Sequence, residues 1–267
     1  MRHEYVVLLL VVDVRGWWLH PMYNLENKPQ MLDALQFAQP RCPSGLVLDV
    51  GANGGRETEQ ARSMGYDVVA VECLQREYAK LSDKWRRDSH ITLLNGCASD
   101  QLSLQRFSQA GTGSSLHPEA VSQGIELDAF KKSRQTVTNV MTFPMDPLVE
   151  KRPDPQQPVC VVKIDTQGHE ISVMRGVERT LRKHRPVVIF ELDYRFGPQV
   201  NLTTPWMVAL GYDCAIPTPG KGPGRHCSVC NVLCMPERYM WNTTRPPRQR
   251  DSAREGRRLG IPSERDA

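Results

Sequence analysis

Five short stretches of the chain are apolar almost without interruption: residues 46–50, 67–72, 91–94, 159–164 and 186–190. Short Val-, Ile- and Leu-rich runs of this kind suit parallel strands, which are buried on both faces and so need no alternation of polar and apolar positions. Between them the period changes. Leu74, Tyr78, Leu81 and Trp85 recur at helical spacing, which predicts an amphipathic helix over 75–88 with one face on the sheet. Val173, Val177 and Leu181 mark another over 170–184, and 56–64 reads as a helix directly after the first strand. Residues 30–37 form a further short helix, ended by Pro40, that covers the mouth of a site or the edge of the sheet. Met207 to Leu210 belong to a short helix, and 212–217 with 231–235 read as an antiparallel pair joined by the Gly/Pro-rich stretch 218–224. Strands alternating with helices indicate an α/β fold with helices on both faces of one sheet.

The first strand ends Asp49-Val50 and breaks into Gly51-Ala52-Asn53-Gly54-Gly55. Glycines here let the backbone turn sharply and approach a bound group, and the amides of the helix that follows face the same crevice. Doubly wound folds place an acid on the ribose hydroxyls about 20 residues past such a turn, and Glu72 stands seventeen residues after Gly55. The dinucleotide fingerprint Gly-x-Gly-x-x-Gly is not matched, and the carboxylate of Asp49 sits two residues before the first glycine. Beside a pyrophosphate it would be repelled, whereas it suits a ligand with a positively charged amino-acid portion. S-adenosylmethionine fits this turn better than NAD, with Asp49, Gly51, Asn53 and Gly55 around the amino-acid portion and Glu72 on the ribose.

The later strands end the same way, in Asp165 and Glu191, so four carboxylates gather at one rim of the sheet. The turn Thr166-Gln167-Gly168 brings His169 and Glu170 to the same edge. If the acceptor is a hydroxyl, a carboxylate or imidazole within hydrogen-bond reach must take its proton, and Asp165, His169, Glu170 and Glu191 are the candidates. Each also has a plainer role open to it: Glu170 capping its own helix, His169 exposed, Glu191 holding a loop.

The segments Val47-Leu48-Asp49-Val50-Gly51-Ala52-Asn53-Gly54-Gly55, Val71-Glu72 and Val162-Lys163-Ile164-Asp165-Thr166-Gln167-Gly168-His169-Glu170 resemble the FkbM-type class I methyltransferases. The likeness continues through Met174-Arg175-Gly176 and Pro186-Val187-Val188-Ile189-Phe190-Glu191 and spans about 46–236. It implies a Rossmann-like, doubly wound seven-stranded sheet, six strands parallel and one antiparallel. It further implies S-adenosylmethionine as cofactor and methylation of a hydroxyl on a sugar or other small acceptor. Ala98 and Ser99, in the turn after the third strand, then lie beside the adenine, and the serine-containing loop 111–116 lies over cofactor or substrate. The rival readings are a cofactor- or partner-binding protein without turnover and an NAD-dependent oxidoreductase.

At 267 residues, 40% hydrophobic and 24% charged, the chain suits one large α/β domain, taken as 46–236 between an N-terminal extension 1–45 and a basic tail 237–267. The formal charge of +4 owes most to that tail, where seven arginines face four acids from Asn242 onward, and no nucleic-acid motif accompanies it. Residues 5–12 are apolar but too short for a bilayer, which takes about 20, and Asp13 and Arg15 follow at once. Eight cysteines scattered at 42, 73, 97, 160, 214, 227, 230 and 234 read as reduced small hydrophobes rather than a disulfide framework. Cys227, Cys230 and Cys234 with His226 lack the second pair of a zinc ribbon, so no metal is expected. The sequence does not fix the compartment: a cytoplasmic location is favoured, and the Asn-x-Thr triplets at Asn201 and Asn242 leave the secretory route as the alternative.

Overall fold

Leu46–Val50 (β1) is buried at every position because strands cover it on both sides and helices on both faces. The computed structural model describes residues 30–109, 114–116, 136–193, 196, 201–215 and 229–236. Residues 1–29, the 111–113 part of the serine loop, the 218–224 connection, His226, Cys227, the Asn242 triplet and the basic tail lie outside them.

After β1 the chain runs through α2 (Arg56–Ser63), β2 (Asp67–Glu72), α3 (Gln75–Trp85) and β3 (Ile91–Asn95). Preceding β1 is α1 (Met31–Ala38). Then come β4 (Cys97–Ala98), β5 (Ser103–Gln109), β6 (Thr136–Phe143), α4 (Asp146–Glu150), β7 (Val159–Ile164), α5 (Glu170–Gly176) and α6 (Glu178–His184). The described residues finish with β8 (Val187–Asp193), α7 (Thr203–Ala209), β9 (Tyr212–Ala215) and β10 (Val229–Pro236). Seven strands form one sheet in the order β3-β2-β1-β7-β8-β10-β9. Only β10 runs against its neighbours, antiparallel to β8 and β9, which is the six-plus-one arrangement read from the sequence.

Side chains alternate across a strand, so the two faces of β1 feed different cores. Leu46, Leu48 and Val50 join Ile164, Phe190, Met174 and Leu181 under α4 to α7. Val47 joins Val68, Val161 and Ile189 under α1, α2 and α3. Burying each of these side chains stabilises the fold by ~1.5–3 kcal/mol. Met31, Ala34, Leu35 and Ala38 recur at i, i+3, i+4 and i+7 on α1 and pack it on β7, β8 and α2. The helix thus covers a sheet face, not the mouth of the site.

The helix expected over 170–184 is two helices, broken at Val177. A Cβ on Gly176 would collide with the Ser99 carbonyl, so the backbone approaches that turn closely. The second helix is begun by Asp146, whose carboxylate accepts from Arg179 N and Thr180 N at 2.9 Å each and from Thr180 Oγ1 at 2.7 Å. A second, three-stranded sheet, β4-β6-β5, stands where the sequence showed little regularity.

The cysteine reading is overturned. Cys42 is bonded to Cys160, Cys73 to Cys97 and Cys214 to Cys234, and Cys230 is disulfide-bonded as well. Burial alone does not separate a thiol from a half-cystine. The pairs are made by the fold, Cys214 and Cys234 lying directly opposite on β9 and β10, and Cys42 meeting Cys160 across 118 residues of sequence. Each such bond typically stabilises by ~2–4 kcal/mol. Peptide mapping without reductant is expected to return these three pairs, with a lowered Tm after reduction; free thiols at the six positions in freshly isolated protein would remove the pairing.

Candidate functional site

The strand order reverses between β1, which leads outward to β2 and β3, and β7, which leads the other way to β8. In open α/β sheets ligands bind outside the carboxyl ends of the strands at such a point. A cavity of about 360 Å³ lies there. It is walled by Val50 at the end of β1 with Gly51 and Asn53 after it, by Val71 to Leu74 at the end of β2, and by Gly96, Cys97 and Ala98. Phe107, Ser114 and Leu116 close one side, and Asp165, Thr166, Gln167, His169 and Glu191 line the rest.

Glu72 is clamped by its own surroundings. Oε2 accepts from Asn53 N at 2.7 Å and Oε1 from Leu74 N at 2.6 Å, which fixes the carboxylate against the turn that follows β1. Burial holds its pKa above the ordinary glutamate value, although these two amides and Lys163 work in the opposite direction.

Asp49 lies elsewhere. On a strand with period two it shares the face of Val47, beneath α2, and it does not line the cavity. One oxygen accepts from Thr58 Oγ1 at 2.6 Å, and the other is 3.3 Å from Nζ of Lys163, its register partner on β7. Lys163 also donates to the Gly51 carbonyl at 2.6 Å. Burial opposes the lysine charge, but Asp49, with Asp165 and Glu57 beyond it, outweighs burial and raises the Lys163 pKa above the ordinary lysine value. Gly51, at φ 82°, brings its Cα so near the Asp165 carbonyl that a side chain would collide with it.

On the other half of the rim, Gln167 Nε2 donates to Asp165 Oδ1 at 3.0 Å and to Glu191 Oε2 at 2.5 Å, and so ties two carboxylates together. Glu191 is half-buried; desolvation, with Asp165, Glu170 and Asp193 nearby, pushes its pKa up to about 8. Glu170 is fully buried and off the cavity. Its Oε1 accepts from Thr166 N at 3.0 Å, Gly168 N at 3.1 Å and Thr166 Oγ1 at 3.2 Å, and burial raises its pKa to about 7 against the pull of those amides. His169 is 6% exposed with Nε2 2.9 Å from Ser99 Oγ.

Of the residues singled out in the sequence, Gly51, Asn53, Glu72, Ala98, Asp165, His169 and Glu191 meet around the cavity. Asp49, Gly55, Ser99 and Glu170 do not line it. Gly55 begins α2 against the Trp85 ring, and Ser99 stands behind the wall, bonded to His169. Gln167, Cys73 and Cys97 are wall residues that sequence reasoning passed over. The one signal for Gln167 was its place in a tight turn before glycine, where it adopts φ 53°. Ser115 of the serine loop donates to the Gln167 carbonyl at 2.7 Å and anchors that loop on the same turn. No group of three or more His, Cys, Asp or Glu that could hold a metal ion is found among the described residues.

The model of the methyltransferase FkbM domain matches residues 49–214. The fold is similar to the crystal structure of methyltransferase FkbM from Methylobacillus flagellatus KT, with TM-score 0.50 and 16% identity over 80% of this chain. The chain spans 50% of the length of that protein. An rRNA methylase from Streptococcus thermophilus is similar with TM-score 0.43 and 10% identity, covering 75% of this chain and 91% of its own. Precorrin-6y C5,15-methyltransferase from Geobacter metallireducens GS-15 gives TM-score 0.41 and 10% identity, covering 76% and 85%. No curated protein sequence gives a significant match.

Lys163→Met leaves Asp49 as a buried charge without its cation and is expected to cost about 3–5 kcal/mol in urea unfolding, with much of this recovered when Asp49→Asn is added. A single variant within ~1 kcal/mol of wild type would show the pair to be idle. Glu170 and Glu191 make stability depend on pH. Both are raised from 4.5, to about 7 and about 8, so from pH 4.5 upward the folded state holds protons that the unfolded state has released. Their contribution is complete below 4.5 and is lost as pH rises through 7 and 8. Glu191→Gln should therefore melt several degrees above wild type at pH 9 and close to it at pH 5; parallel Tm curves would contradict the burial of this charge.

Proposed function

Because the chain belongs to the FkbM methyltransferase family, we propose that it transfers a methyl group from S-adenosylmethionine to a hydroxyl of a sugar or another small acceptor. The observation that carries this reading is one cavity lined at one end by the clamped carboxylate of Glu72 and at the other by Asp165 and Glu191. The cavity residues fit the cofactor. Glu72 is a desolvated acceptor whose fixed orientation suits a vicinal diol, and the hydroxyls of a ribose would supply hydrogen bonds that water supplies to an exposed carboxylate. Ala98 offers an apolar wall to the adenine, with Ser99 supporting it from behind. Asp165, whose backbone crowds Gly51, takes the ammonium of the amino-acid portion in the place first given to Asp49.

S-adenosylmethionine supplies an electrophilic methyl group on a sulfonium. The protein's own part is to align the acceptor, exclude water and remove the hydroxyl proton. Glu191 is the base we favour: it reaches the cavity, Gln167 orients it, and a pKa of about 8 makes it a stronger base than an ordinary carboxylate. His169 is tied through Nε2 to Ser99, and Glu170 is spent on the 166–168 turn. Disulfides suit an oxidising compartment, so this reading prefers the secretory alternative to the cytoplasm.

Calorimetric titration with S-adenosylmethionine, S-adenosylhomocysteine and NAD tests the cofactor: the two adenosyl ligands should bind and NAD should not. Glu72→Ala should abolish that binding. Glu191→Gln should keep it and lower kcat by about 10²–10⁴-fold with any hydroxyl acceptor found in a labelled-methyl screen. Wild-type affinity in Glu72→Ala would sink the site assignment, and an unchanged rate in Glu191→Gln would remove it as the base.

A further inference from the structure

The two sheets part company at the wall of the cavity. β2 and β3 run in register to a last pair, Glu72 opposite Asn95, and Gly96 N donates to the Glu72 carbonyl at 3.0 Å. One residue later the chain has changed partner, and Cys97 and Ala98 pair with Thr142 and Phe143 of β6. The main-sheet ladder between these segments ends there. What spans the divergence is the Cys73–Cys97 bond, one residue past Glu72 on one side and one residue before Ala98 on the other, with Cα atoms 4.7 Å apart. Both half-cystines line the cavity.

We propose that this disulfide is a positioning element of the adenosyl site, holding the wall that carries Glu72 against the wall that carries Ala98; the proposal rests on the S-adenosylmethionine reading above. Glu72 Oε1 is bonded to the amide of Leu74, the residue after Cys73, so any movement of the 73–74 segment moves the carboxylate. On the far side, Ser99 is held by His169 and by the close approach of Gly176. The bond therefore closes a frame whose other members are already fixed. The Cys42–Cys160 and Cys214–Cys234 pairs stand apart from the cavity lining: Cys160 lies near the start of β7, at the end of the sheet opposite the site, and Cys214–Cys234 joins the outer strands. Opening the Cys73–Cys97 bond takes two electrons from a dithiol, which leaves as its own disulfide while the protein gains two thiols. The freed segments must then be ordered again by the ligand, and that lowers affinity without changing the reacting groups.

The test compares Cys73→Ser/Cys97→Ser with Cys214→Ser/Cys234→Ser. In the first, Kd for S-adenosylhomocysteine and KM for S-adenosylmethionine should rise about tenfold, the factor expected from ordering about one residue on binding, while kcat stays within about twofold. The second should lower Tm and leave KM alone. Dithiothreitol should reproduce the affinity loss in wild type and add nothing in the first variant. Equal affinity in wild type and the first variant, or equal losses in both variants, would overturn the proposal. Should the first variant not fold, partial reduction of wild type with alkylation mapping decides: affinity unchanged while Cys73–Cys97 is open also overturns it. Wild-type protein that binds neither adenosyl ligand sinks the cofactor reading and this proposal with it, whereas binding that is indifferent to the bond sinks the proposal alone.

Discussion

One buried cation, the ammonium of Lys163, fixes the parts that make the cavity. It meets Asp49 across the β1–β7 ladder at 3.3 Å and donates to the Gly51 carbonyl at 2.6 Å. Strand register, the glycine turn and the approach of Asp165 are thereby set from behind the site, on the face away from the larger core. Taking two charges out of water is costly, and an apolar pair of the same volume would often be as stable. Such a pair would leave the Gly51 carbonyl without its donor, and the turn would no longer be held where the Asn53 amide meets Glu72. The contribution of the ion pair is to geometry more than to the free energy of folding.

The sequence disclosed the main sheet because strands buried on both faces are written as continuous apolar runs, and the faces of the helices as regular stripes. It disclosed the rim as well, since Glu72 ends β2 and Asp165 follows β7, although β8 runs two residues past Glu191 to Asp193. Asp49 was misplaced for a reason of period: one residue from the end of β1, its side chain goes to the α2 face and not over the strand end, and a list of acids does not show the face. The small sheet escaped because β4 is two residues long and β5 is rich in Ser and Gln, so its alternation is faint. The disulfides escaped because pairing is decided by which segments the fold makes neighbours, and 118 residues separate Cys42 from Cys160. The split of the 170–184 helix was invisible because it depends on Asp146 and Ser99, which lie far away in sequence.

The carboxylates singled out in the sequence divide by how their charge is met. Asp49 has Lys163, Glu72 has two backbone amides, and Glu170 has the amides of its own turn. Among the described residues Glu191 has one neutral donor, Gln167, which it shares with Asp165, and its charged neighbours there are acids. Its charge is therefore met less fully, among the described residues, than the charges of Asp49, Glu72 and Glu170. Positive charge brought beside it would offset the repulsion from Asp165 and lower its pKa. The same crowding of acids that costs stability above neutral pH thus makes the charge of Glu191 sensitive to what occupies the cavity.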